Sequence, residues 1–229
     1  MSMTRLPFGL STRKKPDPFG EYFHPDDTDQ HLFFTDFNTY SATDYTITVV
    51  GTSTPALVSG DGGILGITTS ATSGDSSFLQ KTIPSFTFET GKPCWFGCRF
   101  KVSTLTTTAV IGMQVLDTTP LDVTDGIYFL TTTATGAITI YCRKNATTGS
   151  TSASVGTLVA DTYTELAWYW DGKDTVNFYQ DRVQKGSLTG VAANYLPDTI
   201  TTQSFGVQTD SANARTMSVD YFFVAKSRR

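Results

Sequence analysis

Few residues in this chain have the type and spacing that chemistry demands. Its two histidines, His24 and His31, stand seven apart at the edge of a proline-interrupted stretch. His24-Pro25-Asp26-Asp27 and Asp29 have metal-ligand side chains, but histidines so placed in a loop define no ligand geometry. That cluster reads as a turn with solvated acids. A Ser–His–Asp relay would need one of those imidazoles as its base, and no Gly-x-Ser-x-Gly occurs. Glycoside cleavage needs two facing carboxylates. The interior glutamates Glu89 and Glu165 each lack an acidic partner two residues away on the same strand face.

Cys94, Cys98 and Cys142 do not form a Cys-x-x-Cys pair. On a strand, Cys94 and Cys98 share a face but lie far apart for one zinc ion. They read as small buried hydrophobes. Asp61, Asp75, Asp171 and Asp174 sit in glycine-containing turns, where aspartate either ligates calcium or accepts backbone hydrogen bonds. Backbone bonding is the plainer reading. Asn145-Ala146-Thr147 matches a glycosylation sequon by chance. The resulting expectation is a non-enzymatic protein with no cofactor and no metal.

The elements that would position any site are strands. The chain has 229 residues, 41 of them Thr, with 16 Phe and 10 Tyr. Those types favour a pleated, half-exposed surface. Runs such as DYTITVVGT, PCWFGCRFKVS, AVIGMQVLD, DGIYFLTTT and GAITIYCRK recur between turn residues, as do SFGVQT and RTMSVDYFFVAKS. SFTFET reads as a further strand. TTGSTSASVGT (147–157) reads as an exposed hairpin loop. Helix is confined to short turns near TTPLDVTDG or VAANYLPD. Within PCWFGCRFKVS, Cys94, Phe96, Cys98, Phe100 and Val102 share one face. Leu166, Trp168 and Trp170 share another, which reads as core; a sugar platform would need those indoles exposed. Net charge is −4 and the pI about 5.1, so no basic footprint for nucleic acid exists. No apolar run is long enough to span a membrane.

Two regions follow: an extended arm over 1–30 and a sandwich over 31–229. The arm has a basic start, Arg5, Arg13, Lys14 and Lys15, then prolines and acids. Its aromatic residues Phe8, Phe19, Tyr22 and Phe23 are unusual for a disordered tail. Arg5, Phe8, Arg13, Lys14, Lys15, Phe19, Tyr22 and Phe23 are therefore the candidate partner-binding residues.

PCWFGCRFKVS, ELAWYWDGKDTVNFYQDRVQKG and RTMSVDYFFVAKSRR together resemble the laminin-G-like, or concanavalin-like, jelly-roll sandwich. In the family's central pair, the strand after the Trp-rich strand and its turn often reads "fyvDG"; here Phe178-Tyr179-Gln180-Asp181-Arg182 lacks the glycine. The family's glycosidases carry a Glu-x-Asp-x-x-Glu strand, and this chain has none. More narrowly, the chain is similar to tailed-bacteriophage structural proteins of this fold. That resemblance implies an all-β, antiparallel two-sheet sandwich used as a capsid decoration, or cement, protein. Its partners would be the major capsid protein and further copies of itself, as a dimer or trimer. Its location would be the virion surface after synthesis in the host cytoplasm. The alternative is a carbohydrate-binding module of a receptor-binding or tail-fibre protein.

Overall fold

The computed structural model describes residues 30–131, 135–145 and 149–228. Fifteen strands occur among them. In chain order they are β1 (Gln30–Thr35), β2 (Tyr45–Val50), β3 (Ala56–Val58), β4 (Ile64–Thr68) and β5 (Ser76–Lys81). Then come β6 (Cys94–Val102), β7 (Thr107–Gln114), β8 (Gly126–Thr131), β9 (Ala137–Lys144) and β10 (Gly149–Thr157). The rest are β11 (Thr164–Trp170), β12 (Val176–Gln180), β13 (Val183–Leu188), β14 (Thr202–Thr209) and β15 (Thr216–Ser227). One helical turn, α1 (Val191–Asn194), forms in VAANYLPD, and a 3-10 turn spans Ala42–Asp44. No helix among the described residues is long and apolar enough to cross a membrane.

The strands make two antiparallel sheets. The first runs β10-β9-β8-β7-β14-β5-β2 and the second β13-β12-β11-β6-β15-β4-β3. β1 also joins the second sheet, beside the C-terminal half of β15. The long β15 changes neighbour partway, pairing β4 through Val219 and β1 from Phe222. A register shift between Val219 and Tyr221 marks the change. A bulge bends a strand and re-aims one side chain, here Asp220.

The two inner faces form one core. Cys94, Phe96, Cys98, Phe100 and Val102 are all inside it, as their period of two requires. Leu166, Trp168 and Trp170 are inside too, and Phe96 stacks on Trp168 at 5.4 Å. Such rings each contribute about 1.5–3 kcal/mol through apolar burial. The outward face of the first sheet carries a smaller cluster of Phe78, Val110, Val123 and Tyr128. Segment 115–125, between β7 and β8, lays Val115, Leu121 and Val123 on it.

Two expected elements come out differently. SFTFET is not a strand: Phe86 makes one bridge, to Thr201, and Glu89 one to Lys92. Its phenylalanines still go inside, Phe88 lying 5.8 Å from Trp168. STSASVGT, expected in an exposed loop, is most of edge strand β10, paired with β9 along nearly its whole length. Polar residues serve an edge strand well, because one side of it meets water.

Candidate functional site

A cavity of about 450 Å³ opens at one end of the sandwich, within the usual range for small-molecule sites. Strand β1 supplies Phe33 from the second sheet. Strands β5 and β14 supply Lys81 and Gln203 from the first. The 3-10 turn adds Thr43 and Asp44, and segment 82–85 adds Thr82, Ile83 and Ser85. These walls are pinned by backbone bonds. Thr82 N–H donates to the Asp44 carbonyl at 3.1 Å, and the Ser85 and Phe86 N–H groups share the Thr201 carbonyl. The Thr202 hydroxyl donates to the Lys81 carbonyl at 2.8 Å, fixing the start of β14 against the end of β5.

The charges in the cavity wall form one pair. Lys81 Nζ lies 3.0 Å from Asp44 Oδ2, with the lysine side chain 23% exposed and the carboxylate 55%. The ammonium also sits 4.9 Å from the Tyr45 ring centre and 5.8 Å from that of Phe33, an attraction worth about 0.5–1 kcal/mol at a wet site. Burial, with Asp44 adding to it, pushes the Tyr45 phenol far above its ordinary pKa, so it stays neutral. Tyr40 stacks on Tyr45 at 5.8 Å and is raised by burial as well.

Gln203 stands apart from the other buried glutamines. Gln80, Gln114 and Gln180 each donate through Nε2 to a backbone carbonyl, of Val115, Pro120 and Thr157 respectively. Gln203 is only 2% exposed, faces the cavity, and its amide meets no partner among the described residues. The residue as a whole is buried, yet its amide nitrogen and oxygen reach the water of the cavity. Its donor and its acceptor are therefore available to a ligand.

The candidates named from sequence fare as follows. Arg5, Phe8, Arg13, Lys14, Lys15, Phe19, Tyr22 and Phe23 lie outside the described residues, as do His24, Asp26, Asp27 and Asp29. His31 stacks flat on Phe86 at 4.1 Å; burial first, then Arg228 and Lys226, lower its pKa. The three cysteines are buried free thiols, each pushed up by burial. Asp171 Oδ1 accepts from the N–H groups of Lys173, Asp174 and Thr175. Asp174 binds those of Gly190 and Ala192, and Asp75 that of Thr72. Asp181 and Arg182 fill the β12–β13 turn with φ of 50° and 66°, the left-handed conformation for which glycine would be favoured. Trp168 and Trp170 offer no sugar platform, being fully buried, and the outward-facing Trp95 is 5% exposed.

Charged residues also pair across strands, which a reading along single strands misses. Glu165 on β11 is the register partner of Arg99 on β6, and the bulged Asp220 on β15 pairs with the Arg99 guanidinium. Arg182 forks onto Glu165 at 2.8 and 3.3 Å.

No protein-family model matches the sequence, and neither does any curated protein. Solved structures do match. An endo-1,3-β-glucanase from Streptomyces sioyaensis is 12% identical, with a TM-score of 0.62 over 88% of this chain and 98% of that one. A protein of unknown function from Shewanella oneidensis MR-1 is 20% identical, with a TM-score of 0.59 over 87% of each. An endo-β-1,4-glucuronan lyase from Trichoderma reesei is 14% identical, with a TM-score of 0.54 over 84% and 94%. These likenesses overturn the expectation of a non-enzymatic chain, because the same sandwich serves a hydrolase and a lyase. That expectation rested on the lack of one carboxylate motif along one strand. A sheet can also bring carboxylates together from neighbouring strands, which a motif along one strand does not show. The fold itself, inferred from three sequence segments, is established: two antiparallel sheets packed as a concanavalin-like jelly roll.

Proposed function

We propose that this protein recognises carbohydrate, and that the cavity at the end of the sandwich holds a sugar unit. The observation that carries the reading is the Gln203 amide, which lines that cavity and makes no side-chain hydrogen bond among the described residues. A sugar presents hydroxyls that both donate and accept, over an apolar ring face. The cavity answers with an amide, the Lys81–Asp44 pair, the Thr43, Thr82 and Ser85 hydroxyls and the apolar Phe33 and Ile83. Similar folds bearing the names of glucan- and glucuronan-processing enzymes support the same reading. Saturation-transfer NMR against a panel of oligosaccharides tests it. Binding that is lost in Gln203→Leu is expected. No saturation transfer to any saccharide would sink the proposal.

A second reading, a decoration protein on a phage head contacting the major capsid protein and its own copies, has one structural observation in its favour. The edge strands β2 and β3, YTITVV and ALV, contain no charged residue, and Val49, Val50, Leu57 and Val58 on them are exposed. The opposite edge of the second sheet, β13, carries Lys185. Charges on an edge strand discourage pairing with another chain, and β2 and β3 carry none while exposing four large apolar residues. Co-sedimentation with heads that lack the protein tests this reading.

A further inference from the structure

Resting on the carbohydrate reading, we infer that the end cavity selects a neutral sugar ring over a uronate. The cavity wall carries one cation and one anion among the described residues, and they are already paired at 3.0 Å. Their charges cancel, so the wall offers no net attraction for a carboxylate. A uronate would bring a second negative charge beside Asp44, whose carboxylate is the more exposed member of the pair. The Lys81 charge is already offset by Asp44, and its ammonium also lies beside the Tyr45 and Phe33 rings. The remaining polar groups are neutral and two-sided. The Gln203 amide both donates and accepts, as do the Thr43, Thr82 and Ser85 hydroxyls, and a sugar hydroxyl does the same. Adjacent hydroxyls on one ring would span the Lys81–Asp44 pair, one accepting from the ammonium and one donating to the carboxylate. Phe33 and Ile83 would receive the apolar ring face.

Other cations of the second sheet and its flanks are engaged elsewhere. Lys92 and Lys226 both bind Glu89, and Arg228 donates to the Gln30 carbonyl. None of these three cations lines the cavity, so none would compensate an incoming carboxylate there.

The test is a calorimetric titration of the full chain with matched neutral and uronic oligosaccharides, repeated on Asp44→Asn and Gln203→Leu. Thermal unfolding of each variant separates a lost site from a lost fold. The wild type is expected to bind the neutral sugar and to discriminate against the uronate. Asp44→Asn should erode that discrimination by about tenfold or more, the scale of one like charge a few ångströms away in a partly wet site. Gln203→Leu should abolish binding of both while the protein stays folded. A wild type that binds uronate as well as neutral sugar overturns the inference and leaves the carbohydrate reading standing. Binding indifferent to both substitutions also overturns it, by placing the sugar elsewhere. The absence of binding to either sugar overturns the carbohydrate reading itself.

Discussion

Arg143 on β9 donates to Asp122 at 2.8 Å and, from the same Nη1, to the Tyr128 hydroxyl at 3.3 Å. One guanidinium thus ties segment 115–125 to the outward face of the first sheet. Gln80 holds the other end, with Nε2 donating to the Val115 carbonyl and Oε1 accepting from the Asp117 N–H, both at 3.0 Å. Near the strap, Gln114 Oε1 and Arg143 Nε have no protein partner among the described residues.

Replacing Gln80 with Leu should loosen this strap without unfolding the sandwich. Two backbone groups lose their partner, at about 1–3 kcal/mol for each that stays buried. Amide hydrogen exchange is expected to rise across 115–125 and to stay slow in β6 and β15. Uniformly faster exchange would show instead that the strap and the core open as one unit.

Trp168 should be among the costliest positions to truncate. It is fully buried, stacked on Phe96 at 5.4 Å and 5.8 Å from Phe88. Trp168→Ala is expected to destabilise by about 3–5 kcal/mol in chemical denaturation, through the cavity it leaves. A cost below about 1 kcal/mol would contradict the packing described.

Acid should act through Glu89. Hydrogen bonds from Lys226 first, then Lys92 and Thr87, lower its carboxyl from an ordinary 4.5 to about 2. A folded pKa held below the unfolded one stabilises the fold fully above the unfolded value, and that help is lost as pH falls through the folded one. Glu89→Gln should therefore remove a stability slope between about pH 4.5 and 2 and leave the slope at neutral pH unchanged. The carboxylate is half exposed, so the effect should shrink in high salt. Denaturation midpoints across that pH range check it, and an identical slope in the variant would refute it.

If the uncharged edge mediates self-association, one charge there should prevent it. Val50 is 55% exposed on β2. Val50→Lys is expected to shift any dimer or trimer to monomer in sedimentation velocity, with the unfolding temperature nearly unchanged. Persistence of the oligomer would put the contact on another surface.

Alternation alone determined much of the sandwich. Cys94 through Val102 and Leu166 through Trp170 could be assigned to inner faces because a strand repeats every two residues and core positions are apolar. The same rule missed β5, where Ser76, Ser77 and Gln80 are buried but polar. It misjudged SFTFET, whose Phe86 and Phe88 alternate into the core from a segment with almost no strand partner. Burial was readable there, whereas pairing depends on a distant partner. The cavity depended entirely on tertiary structure. Phe33, Asp44, Lys81 and Gln203 are separated by up to 170 positions, and each alone is an ordinary residue. Only strand register and the packing of one sheet on the other bring them to one end of the sandwich. Only there does the Gln203 amide meet a space large enough for a ligand.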